Sequence, residues 1–471
     1  MLHRMCCITI LVALFVAVTP IAAQDGLDLE KTKTVLTGLI EKVLDERGIP
    51  SVSIALVKGD EIVWAEAFGY ANVRTKTAAT PDTIYSTGST FKPVTATALM
   101  QLVEQGKCKL DDPVNQHLGD TRVQDRIQSE QPVTIRHILS HWSGLLTGEN
   151  VKPIWGRELP MTLEELTSKL YSIRAPEAMW EYNNYAYAMA GLLVERISGM
   201  DYETYIVENI LKPLGVETRN PVAPSPEMVE LMALPYRPGG ADGEPTPVAQ
   251  VHYDVYPAGD IYLTAEDMAR FLAAHINGGV LGGSRILAEE SVREMHTPQF
   301  GGYYSLGFAV KKAENGHTLI SHSGAIRGQN SVMMGDVDAR VGVYMMSNSG
   351  VPSSIGEAAI HLLRGEEYTL PEDREYLEVD PEILGTYAGK YDLAGRYIFE
   401  IVVENDGLFV IMPRMGKTEL LAETESRFWL IGEGWVFNFV AGDEGSIDRI
   451  DFESDGLTMK AERIEESAGN G

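Results

Sequence analysis

The sequence predicts an α+β protein: an antiparallel sheet flanked by helices, with a mostly helical subdomain beside it, followed by a small all-β barrel domain. Three observations support this class. Strand patterns occur near the start of the chain and again after residue 305, and the stretch 84–280 between them is mostly helical and rich in loops. Beyond residue 382, short apolar runs alternate with Gly and Asp turns, which is typical of a small antiparallel barrel or sandwich.

Residues 1–23 have the layout of a secretory signal peptide. Arg4 provides a positively charged start, "ITILVALFVAV" an apolar core, and "TPIAAQ" the small residues of a cleavage site. The apolar run is too short to span a bilayer comfortably, and no later segment is longer. Of the 3 cysteines, only Cys108 lies outside this leader, so the mature monomer has no pair for an internal disulfide. We expect an exported bacterial protein, periplasmic or secreted, without stable membrane insertion after cleavage.

The charge balance of the chain excludes one large class of partners. The formal net charge is −28, from 39 basic and 67 acidic residues. Such a surface repels phosphate backbones and anionic membranes, so we expect no nucleic-acid partner. The excess could also steer cationic substrates, but solubility alone explains it, and we favour that interpretation. At 471 residues the chain is too long for one ordinary core, so two or three domains are expected.

The elements of the first domain follow from local patterns. "LDLEKTKTVLTGLIEKVLDERG" has helical spacing of its apolar residues and ends at Gly48, and "SVSIALVKGDEIVWAEAFGYANV" reads as a hairpin that turns at Gly59. A capping box formed by Thr264 and Asp267 predicts the start of a later helix. Strand patterns return from 305 in "SLGFAVKKA", "HTLISHSG", "SVMMGDV" and "RVGVYMMSN", and a last helix is expected near 354–364.

The domain boundaries are set by a change of composition. The stretch "GEEYTLPEDREYLEVDPE" is charged and contains proline, as interdomain linkers often do. We therefore expect a first domain over 24–365, a linker over 366–381 and a C-terminal β domain over 382–471.

A serine and a lysine three residues apart open a predicted helix. In "IYSTGSTFKPVTATALMQLVEQG", Ser89 and Lys92 precede Pro93, which is tolerated in a first helical turn. Residues at this spacing share a helix face, so the ammonium can lie beside the hydroxyl. About two S-x-x-K matches are expected by chance in a chain of this length. Here there is one, and it stands where a helix begins.

Two further motifs follow in the order Tyr182-Asn-Asn184 and His322-Ser-Gly324. With Ser89-x-x-Lys92, this ordered set resembles the serine β-lactamase/penicillin-binding-protein superfamily. It is most similar to the branch of D-alanyl-D-alanine carboxypeptidase B, class C β-lactamases and related esterases. The flanking stretches "VTIRHILSHWSGLL", "PEAMWEYNNYAYAMAGLLVERISG" and "AGDIYLTAEDMARF" carry the same resemblance. It implies a β-lactamase/transpeptidase-like fold for the first domain. "ILGTYAGKYDL" resembles the lipocalin-like tail of some members.

The resemblance implies a role for each residue of the motifs. Ser89 would attack a carbonyl, and the backbone N–H groups of Ser89 and Ala325 would form the oxyanion hole. Lys92 and Tyr182 would share the proton, and the sequence leaves open which of them is the proximate base. Asn184 would hydrogen-bond Lys92 and the amide of the acyl side chain. No metal and no cofactor are expected.

The third motif departs from the β-lactamase pattern, which usually has lysine at the position of His322. A histidine is mostly neutral at pH 7, so it would anchor a substrate carboxylate more weakly than lysine. This favours a peptidase or esterase over a β-lactamase. We expect His322, Ser323 and Gly324 to bind the substrate.

Other catalytic chemistries find less support in the sequence. There is no G-x-S-x-G for an α/β-hydrolase elbow. His137 and His141 lie four residues apart like a zinc pair, but no glutamate follows His137 and no third ligand is apparent, so we interpret both as structural. A non-catalytic binding protein on the same fold is the alternative from another class, and the complete set of reactive residues speaks against it.

The sequence therefore predicts an exported serine hydrolase that forms an acyl-enzyme on Ser89. The expected substrates are small-molecule or peptide amides, handled by a D-peptidase or carboxypeptidase type of enzyme, including amides derived from peptidoglycan. Carboxylesterase and β-lactamase activities are the alternatives. The oligomeric state stays open.

Overall fold

The computed structural model describes most of the chain after the predicted leader. The described residues are 28–146, 161–216, 221–222, 224–239, 243–251, 253–313, 315–351, 353–369, 376–393, 397–412, 416–430, 435–442, 446–454 and 457–464. The predicted leader, 1–23, and part of the predicted linker lie outside them. The leader and the domain boundaries therefore stay predictions.

The helices alternate with strands in the first part of the chain and are nearly absent from the last part that is described. The helices are α1 (Leu29–Arg47), α2 (Lys92–Glu104), α3 (Ile135–Leu139), α4 (Leu163–Ser168), α5 (Asn184–Ser198), α6 (Tyr202–Ile206), α7 (Pro226–Leu231), α8 (Ala265–Ile276), α9 (Glu289–Met295), α10 (Ser353–Leu363) and α11 (Pro381–Tyr387). None of these helices, among the residues described, is long and apolar enough to cross a membrane.

The strands fall into one large sheet, one barrel and three small pairs. They are β1 (Ser51–Lys58), β2 (Glu61–Asn72), β3 (Thr77–Ala78), β4 (Tyr85–Ser86), β5 (Tyr236–Arg237), β6 (Thr246–Pro247), β7 (Tyr262–Leu263), β8 (Val280–Leu281), β9 (Ser284–Arg285), β10 (Ala309–Lys312), β11 (Thr318–Ile326), β12 (Gln329–Asp336), β13 (Val341–Ser347), β14 (Gly389–Leu393), β15 (Tyr397–Glu404), β16 (Gly407–Met412), β17 (Gly416–Ala422), β18 (Arg427–Leu430), β19 (Trp435–Ala441), β20 (Ile447–Ser454) and β21 (Leu457–Arg463).

The large sheet is antiparallel and brings the two ends of the first domain together. Its order is β10-β11-β12-β13-β1-β2-β3, so β1, from the start of the chain, pairs with β13, from the end of the domain. Successive side chains of a strand point to opposite faces. Ile54 and Leu56 therefore pack with α1 and α10, whereas Ala55 and Val57 belong to the core that contains α8. The predicted cover of the sheet by the first and last helices is confirmed.

The local signals in the sequence have their expected structural form. α1 ends at Gly48, whose φ of 60° is the left-handed conformation that glycine adopts at helix ends. The hairpin of β1 and β2 turns at Gly59 as predicted. α8 begins with the predicted capping box of Thr264 and Asp267. These signals are read correctly because each depends on neighbours in sequence alone.

The C-terminal strands close into a barrel, in which β14 to β21 follow one another in sequential order. The short-strand pattern is typical of a barrel or a sandwich, and the barrel predicted from it is confirmed. Its interior contains stacked and edge-on rings of Tyr391, Phe399, Phe437 and Phe452. The α+β class followed by an all-β barrel is therefore confirmed.

Helix α11 was not expected from the sequence. It begins at Pro381, and the side chain of Asp380 caps it by accepting a hydrogen bond from the backbone N–H of Glu382. Its Leu384 and Tyr387 are buried in the core of the barrel. The helix is only 7 residues long, so its apolar pattern gives little helical periodicity to read.

Candidate active site

Ser89 and Lys92 lie next to each other at the start of α2. Ser89 is in a 3₁₀ turn, Gly88–Phe91, that leads directly into the helix, where Pro93 occupies the first turn. The Lys92 Nζ atom is 2.9 Å from Ser89 Oγ. Ser89 is half-buried, whereas Lys92 is 0% exposed. A solvent molecule or substrate can thus reach the hydroxyl, and the amine is shielded behind it.

The environment of Lys92 favours its neutral form. Its second hydrogen bond, 2.8 Å long, is donated to the carbonyl oxygen of Ala258. Burial lowers the pKa of the Lys92 ammonium well below its ordinary value because a charged group loses its hydration there. A neutral amine has a lone pair that can accept a proton, which an ordinary surface lysine does not offer at pH 7.

Tyr182 lies against the same amine. Lys92 Nζ is 4.7 Å from the centroid of the Tyr182 ring and 5.6 Å from that of Tyr187. The ring of Tyr182 in turn lies 4.3 Å from the ring of His141, centroid to centroid. The structure thus brings Tyr182 next to Ser89 and Lys92, although it lies far from both in sequence.

The two asparagines of Tyr182-Asn-Asn184 have different positions. Asn183 is buried and caps α5 by accepting a hydrogen bond from the backbone N–H of Ala186. Its own backbone N–H donates to His141 Nδ1 over 3.1 Å. Asn184 is the first residue of α5 and is half-buried. The expected hydrogen bond from Lys92 to Asn184 is not formed between these described residues, since Lys92 donates to the Ala258 carbonyl instead.

Buried hydroxyls attach the turn of Ser89 to the large sheet. The carbonyl of Thr87 accepts hydrogen bonds from Thr90 Oγ1 and from Ser331 Oγ on β12. Tyr344 on β13 lies 2.6 Å from Thr90 Oγ1, oxygen to oxygen. Because these groups are buried and satisfied, they hold the turn in one place relative to β11 and β12.

Glycines let this turn approach β11 closely. A methyl group on Gly88 would lie 2.8 Å from the Ala325 backbone nitrogen, and one on Gly324 would lie 2.4 Å from the carbonyl oxygen of Thr87, in the chain segment that leads to Ser89. Both distances are too short for a real side chain. The backbone nitrogens of Ser89 and Ala325 therefore lie on either side of the same contact.

The register of β11 shows where the Ala325 N–H points. Ile326 pairs with Gln329 across a two-residue turn, which makes them a hydrogen-bonded pair of the antiparallel ladder. The next pair, Ala325 and Asn330, is then a non-hydrogen-bonded pair. The N–H of Ala325 points away from β12, towards the edge of the strand where the Ser89 turn lies.

His322 is buried, and both of its ring nitrogens are engaged. Nδ1 donates to the Ser323 carbonyl oxygen over 2.6 Å, and Nε2 lies 2.9 Å from the Tyr304 hydroxyl oxygen. Burial lowers the pKa of His322 to about 3, because the charged ring would lose its hydration there. With so low a pKa the ring stays neutral at pH 7 and at pH 6, and a neutral ring is the weaker carboxylate anchor expected from the sequence. The imidazole is a neutral part of the wall.

Four groups near the site were not singled out from the sequence: the Ala258 carbonyl and the rings of His141, Tyr187 and Tyr304. The Ala258 carbonyl belongs to the backbone, and the residue type at position 258 does not indicate that this carbonyl lies in the site. His141 was interpreted as structural because "RHILSHWSGL" offered no metal ligand beyond the pair. His137 does have the structural role expected, since it takes part in the capping box of α3 with Thr134.

Comparison with known proteins places this geometry in a family. The β-lactamase family model matches residues 36–365. Penicillin-binding protein 4* of Bacillus subtilis (strain 168) is 26% identical over 438 residues, which cover 87% of this chain and 94% of that protein. The octameric penicillin-binding protein homologue from Pyrococcus abyssi has a TM-score of 0.61 and 26% identity, covering 91% of this chain and 99% of that one.

A third solved structure shares the fold of the first domain. The D-amino acid amidase from Ochrobactrum anthropi SV3, in complex with L-phenylalanine amide, has a TM-score of 0.56 and 24% identity, covering 71% of this chain and 97% of that one. The family model covers well over half of the sequence, and the neighbours confirm the fold expected from the three motifs. The chain belongs to the β-lactamase family and is a serine hydrolase of the β-lactamase/penicillin-binding-protein-like superfamily.

Proposed function

We propose that this protein is an exported peptidase of the D-peptidase or carboxypeptidase type, which cleaves small peptide amides through an acyl-enzyme on Ser89. The observation that carries the mechanism is the 2.9 Å contact between Ser89 Oγ and the amine of a fully buried Lys92. A hydroxyl next to a neutral amine can lose its proton as it attacks, which a hydroxyl next to an ammonium cannot do readily.

In the acylation step, Ser89 Oγ forms a bond to the substrate carbonyl carbon. The hydroxyl proton passes to the pair of Lys92 and Tyr182, and from there to the leaving amine as the amide C–N bond breaks. Water then attacks the carbonyl carbon of the resulting ester, and the same pair takes one of its protons. As the bond between that carbon and Ser89 Oγ breaks, the pair returns the proton to Ser89 and the carboxylic acid product leaves. Lys92 Nζ lies 4.7 Å from the centroid of the Tyr182 ring, so the two side chains are neighbours. That they share one proton is part of the proposal.

The backbone N–H groups of Ser89 and Ala325 would stabilise the oxyanion in both steps. The glycine contacts between the Ser89 turn and β11, and the outward direction of the Ala325 N–H, support this assignment. Donors fixed in advance cost no reorganisation when the charge develops, and each such donor is worth about 2.7–4 kcal/mol in acyl transfer.

The substrate class rests on the family and on the walls of the site. The resemblance to carboxypeptidases and the relatives named penicillin-binding proteins support peptide amides, with Asn184, Ser323 and Gly324 as binding residues. Trp180 lies 5.3 Å from Tyr303 and 6.4 Å from Tyr182, ring centroid to ring centroid. These rings suit an apolar group next to the scissile bond.

A carboxylesterase is the second candidate, and the neutral His322 favours it. With both ring nitrogens engaged and no charge, His322 provides no cation for a substrate carboxylate. A neutral ester needs none. The same feature makes a β-lactamase the weaker alternative, since β-lactams carry a carboxylate. Among peptidase substrates it favours amides without a carboxylate next to the scissile bond over those of a carboxypeptidase.

The mechanism is tested with a fluorophosphonate probe and with a panel of D- and L-peptides, p-nitrophenyl esters and nitrocefin. Ser89→Ala should abolish labelling and lower kcat by about 10³–10⁶-fold. Ser284→Ala, on the β8–β9 hairpin, is the matched control and should label like the wild type. Activity of Ser89→Ala within tenfold of the wild type would exclude this serine as the nucleophile. The panel itself separates peptidase from esterase.

A further inference from the structure

A second cavity, of about 880 Å³, lies in the first domain and involves none of the residues of the candidate active site. It is lined by the C-terminal end of α8, by β9, α9, β10 and β11, and by the turn between β12 and β13. We call it the cationic cavity and define it by its four exposed cationic side chains: Arg285, Arg293, Lys312 and Arg340.

Among the described residues no salt bridge within 4 Å joins any of these four cations to a carboxylate, although the chain carries a net charge of −28. The pKa of Asp338 is lowered by its hydrogen bond from the Thr318 backbone N–H and, at longer range, by the charge of Lys312. Two carboxylates, Glu289 and Asp338, also line the cavity, so the side chains at its surface leave an excess of positive charge. The Asp338 carboxylate already accepts a hydrogen bond from the Thr318 backbone N–H. A local excess of positive charge is unusual on so acidic a protein, and it attracts anions.

Neutral oxygens hold three of the cations in position without cancelling their charge. Arg285 Nη1 donates to the carbonyls of Gly278 and Leu287 over 2.9 and 2.8 Å. Lys312 Nζ donates to Thr318 Oγ1 over 2.6 Å. Two such side chains are therefore oriented in advance, which reduces the entropy that a ligand would otherwise have to offset on binding.

Arg340 is held in the same way, and its backbone conformation is unusual. Its Nε donates to Asn277 Oδ1 over 2.6 Å, and that amide is fixed by its own hydrogen bond to the Ala273 carbonyl. Arg340 has a φ of 54°, the left-handed region where glycine or asparagine is favoured. The negative end of α8 explains why cations gather there, but about half a charge at a helix end does not balance four.

The histidines of the cavity wall do not change this charge. His275 Nδ1 lies 3.3 Å from His296 Nε2, and His275 Nε2 lies 3.0 Å from Thr97 Oγ1. Thr97 donates its own hydroxyl hydrogen to the Pro93 carbonyl, so the histidines act as neutral donors in a chain that ends at α2. Burial lowers the pKa of both rings, that of His296 to about 3, which keeps them uncharged.

We propose that the cationic cavity binds a multiply charged phosphate ligand through these four cations. Guanidinium groups match phosphate oxygens with paired hydrogen bonds, and an ammonium adds a point charge. The ligand is either a free inorganic anion or the phosphate group of a phosphoester, which share this chemistry. The proposal concerns this cavity alone and does not depend on the reaction at Ser89.

The test is calorimetric titration of the full chain with pyrophosphate, and separately with glycerol 3-phosphate, at a constant ionic strength of about 0.15 M. We expect saturable binding of at least one of them; pyrophosphate alone would indicate the free anion, and both would indicate a phosphoester site. Arg340→Asn should weaken binding by about tenfold, the loss of one charge-assisted contact. Asparagine tolerates the left-handed conformation, so this variant keeps the turn.

Two controls make the result decisive. Arg293→Gln removes a cation from helix α9 and should also weaken binding by about tenfold, which guards against an effect of the Arg340 turn alone. Arg74→Gln removes an exposed cation that lies outside the cavity and should leave the affinity unchanged. Absence of saturable binding for both ligands, or equal weakening by Arg74→Gln and Arg340→Asn, would overturn the proposal.

Discussion

Basic side chains occupy opposite environments in the candidate active site and in the cationic cavity. Lys92 is fully buried, donates to two oxygens and has its pKa lowered by the loss of hydration. Arg340 and Lys312 are exposed and also bind neutral oxygens, but water still solvates their charge. In both regions the basic groups donate to neutral oxygens. The regions differ in whether those basic groups are buried or exposed.

The comparison shows that solvent access decides what a basic residue can do. A cation without a carboxylate partner keeps its charge when water solvates it and can then attract an anion. The same kind of group becomes a proton acceptor when it is buried, because the charged form is the one that burial penalises. The sequence contains both kinds of residue, and only the packing distinguishes them.

The largest effects are expected where the amine is buried. Lys92→Ala and Tyr182→Phe should each lower kcat by about 10²–10⁴-fold, the usual contribution of a general base. The double variant should be scarcely worse than the more damaged single variant, because a pair that carries one proton acts as a unit. Single-turnover acylation kinetics on an activated ester would measure all three.

Tyr187→Phe is the matched control for these variants. The Tyr187 ring also lies near Lys92, but its hydroxyl donates to the Leu139 carbonyl over 2.7 Å. We expect a loss of less than about tenfold, since the lost hydrogen bond is worth about 1 kcal/mol. Strict additivity of Lys92→Ala and Tyr182→Phe in log rate would show that the two residues act independently.

The fold was predictable where neighbours in sequence determine it, and the site was predictable where residue types carry chemistry. The α1 end at Gly48, the capping box at Thr264 and the hairpin at Gly59 are local signals. Ser89 and Lys92 were recognisable from their spacing. The Ala258 carbonyl was not, because a backbone acceptor becomes a feature of the site only when a loop packs against α2. The neutral state of His322 also depends on burial and on Tyr304, which lies on a different element of the fold.

The next largest effect concerns stability: the burial of Lys92 should lower the free energy of unfolding of the wild type. In the unfolded chain the lysine is charged at pH 7, whereas the fold favours the neutral form. Lys92→Met has similar volume and no charge, so it should raise the free energy of unfolding by about 1–2 kcal/mol while abolishing activity. The pKa of the folded state is lowered, so the deficit of the wild type should shrink as pH rises towards about 10.4, where the unfolded lysine also loses its proton. Urea unfolding of both proteins at several pH values would measure it, and a less stable Lys92→Met would contradict it.

His322 should make a smaller contribution to stability, at acidic pH. Its folded-state pKa of about 3 is below the ordinary value of about 6.5, so below pH 6.5 the unfolded chain binds a proton that the fold excludes. The free energy of unfolding of the wild type should fall between about pH 6.5 and 3. His322→Asn should remove up to about 1.4 kcal/mol per pH unit from that slope. Equal slopes in urea titrations would show that the ring is protonated in the folded protein.

The smallest expected effect lies in the cationic cavity. It tests whether the backbone conformation of Arg340 lowers the free energy of unfolding. Arg340 has a left-handed backbone conformation that an alanine would share with strain and a glycine without it. Arg340→Gly should therefore be more stable than Arg340→Ala by about 1 kcal/mol. Both variants lose the hydrogen bonds to Asn277, so the difference between them isolates the backbone term. Thermal unfolding of the two variants side by side would measure it. If the two unfold at the same temperature, the turn has relaxed in the variants and its left-handed conformation has no cost there. If glycine is better, the turn keeps this conformation, and arginine, which has a Cβ like alanine, bears the same backbone strain in the wild type.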